Sequence, residues 1–101
     1  MTPEGRVKAQ LKKFLDRCNC YHYWPTDFGY GKRMVDCLAF WRLQHVPDVC
    51  TVCAIECKRA GITKPTKRQA LIMRELRRYG MRTFLVTLND NDHLLWFEQK
   101  D

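Results

Sequence analysis

No run of apolar residues in this chain approaches the roughly 20 that a helix needs to cross a bilayer, which excludes a membrane-spanning helix. The basic opening MTPEGRVKAQ lacks the apolar core of a secretory leader, so a cytoplasmic protein is expected. No internal repeat or low-complexity tract is present, and a composition 46% hydrophobic and 29% charged excludes a disordered tail. Gly29-Tyr30-Gly31-Lys32 is too short for the phosphate-binding loop of nucleotide hydrolases, which needs Gly-x4-Gly-Lys. His22, His45 and His93 fit no triad with a Ser or Cys nucleophile. At 101 residues, a second module would leave too little chain to bury a core, and residues 1–101 are expected to form one domain.

What is present is positive charge. Eighteen Lys and Arg against eleven Asp and Glu leave a formal charge of +7, a field that attracts phosphate polymers and weakens with salt. Charge alone also serves solubility, so a nucleic-acid partner needs support from elsewhere. The six cysteines, without a secretory segment, are expected to be free thiols that either pack or bind metal.

Thr2-Pro3 is a helix start, and Val7, Leu11, Phe14 and Leu15 then form one apolar stripe as far as about Arg17, with Glu4 one turn ahead of it. The stretch CNCYHYWPTDFGYGKR has no period and reads as an irregular loop. RMVDCLAFW (33–41) and VPDVCTVCAIECK (46–58) read as strands, and the short RLQH connection makes them antiparallel neighbours. A second helix begins among Thr63, Pro65 and Thr66 and ends before Gly80, with Gln69, Ile72, Met73 and Leu76 on one face. RTFLVTL (82–88) is a further strand; HLLWFEQKD is either an edge strand or a short helix. The sum is an α/β mixed sheet flanked by helices.

Chemistry concentrates in AIECKR. Alternate residues of a strand share a face, so Glu56 and Lys58 point together and Cys57 points away. If the preceding strand pairs here, Asp36 joins them, and two carboxylates beside an ammonium suit Mg²⁺ or Mn²⁺ and a phosphoryl centre. E-x-K alone is more often a solvent-facing ion pair, but Val52, Ala54 and Ile55 make this strand apolar on both faces. Glu4 alone could be a helix-dipole carboxylate, and Gln69 a polar residue near a helix start.

This arrangement resembles the PD-(D/E)xK nuclease superfamily, and more narrowly its virus-type replication-repair nuclease domain, whose small stand-alone members occur in bacteriophages. Asp36 matches the first acid, Glu56-Cys57-Lys58 the E-x-K element, Glu4 the glutamate of the first helix and Gln69 the glutamine opening the later helix, in the family's order. Val35 stands where the family often has proline, and its upstream glycine is Gly29 or Gly31. The resemblance implies a restriction-endonuclease-like mixed sheet flanked by helices, in the order α-β-β-β-α-β. It further implies a Mg²⁺- or Mn²⁺-dependent endonuclease on duplex or branched DNA, and a homodimer. The metal would be held by Asp36, Glu56, the Cys57 backbone carbonyl and Glu4, directly or through water; Lys58 would position the attacking water, and Gln69 would support the lysine or the substrate.

Lys8, Lys12, Lys32, Arg33, Arg59, Lys64, Lys67 and Arg68 are the candidates for holding DNA, together with the loop aromatics Tyr21, Tyr23, Trp24, Phe28 and Tyr30, which equally suit a core or dimer contact. The rival reading is a non-catalytic nucleic-acid-binding module stabilised by zinc on Cys18, Cys20, Cys50 and Cys53. Spacing opposes it, because Cys50 and Cys53 on a regular strand face opposite sides. Cys37, Cys50, Cys53 and Cys57 are expected to be small buried hydrophobes.

Overall fold

In the computed structural model, which describes residues 1–26, 34–43 and 45–101, Thr2 opens the first helix. Its hydroxyl accepts the Gly5 amide at 3.0 Å, Pro3 occupies the first turn, and the helix α1 runs Pro3–Arg17. Val7, Leu11 and Leu15, one helical stripe, are fully buried. The described residues continue with the strands β1 (Tyr21–Tyr23), β2 (Cys37–Leu43) and β3 (Val46–Cys57), the helix α2 (Lys67–Arg77), and the strands β4 (Arg82–Leu88) and β5 (Leu94–Gln99). The architecture is α/β, a five-stranded mixed sheet in the order β1-β2-β3-β4-β5 with two helices. All neighbours are antiparallel except β3 and β4, whose parallel pairing follows from the α2 crossover between them.

Side-chain alternation divides the core in two. Cys37, Ala39, Ile55, Cys57 and Val86 pack with Val7, Leu11 and Leu15 of α1. Val35, Ala54 and Met73 form a second cluster, joined by Leu38, Ile72, Leu76 and Met81, that seats α2. The two helices therefore draw on opposite faces of β3, and Glu56, two residues after Ala54, belongs to the α2 face.

Three expectations need correction. The stretch CNCYHYWPTDFGYGKR is not wholly irregular, because β1 lies within it. That strand exposes Tyr21 and Tyr23 and so has no apolar alternation to reveal it. It is tied to α1 instead by side chains: Trp24 Nε1 donates to His22 Nδ1 at 2.8 Å, which leaves His22 Nε2 to donate to Asp16 Oδ1 at 2.7 Å. Second, β2 begins at Cys37 rather than at Arg33, and the chain bends at Asp36 immediately before it. Third, of the two readings of the C-terminal segment the edge strand holds, as β5, so the order is α-β-β-β-α-β-β, one strand longer than the resemblance implied.

Candidate active site

The end of β3 is where the chemistry collects. Cys37 pairs with Ile55, so one step further along the register Asp36 falls opposite Glu56. Lys58 donates its amide to Val86 of β4 at 2.9 Å, and strand alternation therefore turns the Cys57 amide and carbonyl toward the β2 side. There β2 has not yet begun, and the Cys57 amide donates to Asp36 Oδ2 at 2.9 Å. The bend at Asp36 thus places a side-chain carboxylate where a ladder partner would stand. The Cys57 carbonyl remains on the same side.

Glu56 is 6% exposed, unusually buried for a carboxyl. Its pKa is pushed up from 4.5 to about 8, first by burial, then by the negative charge of Asp36 and a hydrogen bond to it; Lys58 opposes the shift and Glu4 adds to it slightly. Gln69 holds the carboxyl from the other side, its Nε2 donating to Glu56 Oε1 at 3.3 Å. The orientation of that amide is fixed by a capping box: Gln69 Oε1 accepts the Thr66 amide at 2.9 Å, and the Gln69 amide donates to Thr66 Oγ1 at 3.2 Å. The helix-start role and the site role of Gln69 are therefore one arrangement.

Asp36, Glu56, Lys58 and Gln69 are brought together as the sequence suggested. Glu4 is exposed on the first turn of α1 and reaches Glu56 only as a charge. Among the described residues no three His, Cys, Asp or Glu side chains form a metal-holding group, so the carboxylates on offer are the pair Asp36 and Glu56. That pair still fits a hard divalent cation. The half-buried Asp36 and the buried Glu56 offer carboxyl oxygens side by side, and a proton on Glu56 relieves the repulsion that a cation would otherwise relieve.

Of the basic candidates, Arg59, Lys64, Lys67 and Arg68 are exposed on the β3–α2 connection and the first turn of α2, directly after the acid pair. Lys12 lies 4.8 Å over the Trp24 ring. Lys8 is drawn into the site itself, its Nζ 3.6 Å from Asp36 Oδ1. No sequence signal marked that contact beyond the i, i+4 spacing of Glu4 and Lys8 on one helix face. Phe28, Gly29, Tyr30, Gly31, Lys32 and Arg33 lie outside the described residues.

The cysteines do not assemble as zinc ligands among the described residues. Cys53 is buried on β3 and Cys50 is exposed, three residues away on a regular strand. Cys50 thus departs from the expectation of a buried hydrophobe, while Cys37, Cys53 and Cys57 meet it. Cys20 is buried and donates to the Phe40 carbonyl at 3.2 Å, and Cys18 is exposed at the end of α1. Burial raises the thiol pKa of Cys20, Cys37, Cys53 and Cys57, to about 12 for Cys37. Such protonated thiols are packing groups.

Comparison of the chain with known protein families, with curated proteins and with solved structures finds no match to any of them.

Proposed function

We propose that this protein is a Mg²⁺- or Mn²⁺-dependent endonuclease that hydrolyses DNA phosphodiester bonds at the end of β3, of the PD-(D/E)xK kind and its virus-type replication-repair branch. The observation that carries the reading is the half-buried Asp36 facing the buried Glu56, with the charge of Lys58 felt there and exposed cations following on the β3–α2 connection and the first turn of α2. An ion pair serving stability alone would not need two acids facing one another, because such a pair costs folding energy unless a cation or proton separates them.

Each residue has a definable task in that chemistry. Asp36, oriented by the Cys57 amide, and Glu56, oriented by Gln69, would hold the cation, with the Cys57 carbonyl as a third oxygen on the same side. A divalent ion bound there supplies Lewis-acid polarisation of the phosphoryl group and a water of lowered pKa. Lys58 orients the attacking water and offsets charge developing on the phosphoryl oxygens. Gln69 keeps Glu56 from rotating away, and Arg59, Lys64, Lys67 and Arg68 hold flanking phosphates. Branched or junction DNA as the preferred substrate, and a homodimer as the acting form, complete the proposal on the strength of the sequence resemblance.

The test is cleavage of labelled duplex, single-stranded, flap and four-way-junction DNA in Mg²⁺, Mn²⁺ or EDTA. Cutting that requires the metal and favours the branched substrates is the expected result. Absence of cutting on every substrate in both metals would overturn the reading.

A further inference from the structure

The acid pair has a neighbour that belongs neither to β3 nor to the E-x-K element. Lys8 reaches it from α1, on the face of the sheet opposite Gln69 and α2. Its Nζ stands 3.6 Å from Asp36 Oδ1, and the two side chains are only 36% and 20% exposed. The other oxygen of that carboxylate is occupied by the Cys57 amide at 2.9 Å. Oδ1 carries no backbone amide and is the less engaged oxygen toward α1, and there an ammonium already faces it.

We propose that Lys8 is a resident counter-cation that occupies the metal's electrostatic place at Asp36 and competes with the divalent ion for Oδ1. The inference rests on the nuclease reading in so far as that reading makes Asp36 a metal ligand. The Lys8 contact is suited to yielding. At 3.6 Å it exceeds the range of a direct hydrogen bond, so the ammonium is held by charge and not by a fixed donor geometry. A four-carbon stem lets the ammonium swing aside without moving α1, whose hold on the sheet comes from Val7, Leu11 and Leu15. A divalent ion and an ammonium on the same oxygen would repel strongly in so sheltered a place, so one must leave for the other to bind. Lys58 does not duplicate this role, because it follows Glu56 on β3 and acts on that carboxyl. A released Lys8 is then free to meet an incoming phosphate.

The test is Mn²⁺ binding without DNA, measured by calorimetry on the wild type, Lys8→Met, Lys13→Met and Glu56→Ala. Lys8→Met keeps an unbranched side chain one atom shorter and removes the charge; Lys13→Met makes the same change at an exposed position of α1. The expected result is an affinity about 3- to 10-fold tighter for Lys8→Met, with Lys13→Met within about 2-fold of wild type. Unchanged or weaker binding by Lys8→Met, while Glu56→Ala abolishes binding, overturns the role of Lys8 and leaves the metal site standing. Binding that survives Glu56→Ala removes the metal site itself, and with it both the nuclease reading and the competition.

Discussion

Glu56 is the residue at which stability and function meet. Its carboxyl is raised from 4.5 in the ordinary state to about 8 in the fold, so the folded chain holds a proton that the unfolded chain has lost between those values. A raised carboxyl pKa means that its contribution to stability is fully present below about pH 4.5 and declines as pH rises through about 8. Metal-free wild type should accordingly melt lower at pH 8 than at pH 5. Glu56→Gln, which mimics the protonated acid and keeps both the Gln69 contact and a donor toward Asp36, should lack that decline. At pH 8 it should melt roughly 4–8 °C above wild type, the shift expected of about 1 kcal/mol in a domain of this size. Thermal melts of the two proteins across this range check it. Mn²⁺ should stabilise wild type at pH 8 and leave Glu56→Gln nearly unmoved.

At the scale of the element, α2 is both a packing unit and the mount for Gln69. Met73 is fully buried beneath it, and its first turn is closed by the reciprocal bonds of Thr66 and Gln69. Thr66→Ala should cost about 1 kcal/mol as a lost cap and, because Gln69 loses a partner, should also lower the cleavage rate. Thermal melts and single-turnover cleavage on one preparation separate the two effects. A variant with the lower melting temperature and an unchanged rate would show that the capping box does not serve the site.

The elements themselves were readable to different degrees. The stripe Val7, Leu11, Leu15 and the start signals Thr2 and Thr66 declare both helices because periodicity and capping are local. The run through Val52, Ala54 and Ile55 declares β3 for the same reason. By contrast β1 is three residues long with exposed tyrosines at both ends, and only pairing with β2 and the His22–Trp24 clamp define it. Asp36, Glu56, Lys58 and Gln69 were legible as a set because each sits in a recognisable local pattern. Lys8 was not, since its place beside Asp36 depends on how α1 crosses the sheet, and Cys50 was misjudged because burial is a tertiary property.

For the whole molecule, a charge of +7 is the dominant long-range feature, and part of it is carried by the exposed Arg59, Lys64, Lys67 and Arg68, which follow β3 in the chain. If those four side chains each neutralise one phosphate, DNA affinity should fall by about 100-fold between 50 and 200 mM salt. Replacing any one of them by alanine should flatten the salt dependence by about one ion. Filter binding or anisotropy over a salt series measures both.

The central proposal is that the acids Asp36 and Glu56 and the lysine Lys58 cut DNA, and parallel binding and cleavage by wild type, Asp36→Asn and Lys58→Ala test it most directly. Asn at position 36 still accepts the Cys57 amide, so the fold should persist while the metal ligand is lost. The expected result is Mg²⁺-dependent cutting by wild type, a loss of about 100-fold or more in both variants, and DNA binding within a few-fold of wild type in all three. Variants that bind and cut as wild type does would contradict the account and move the site elsewhere.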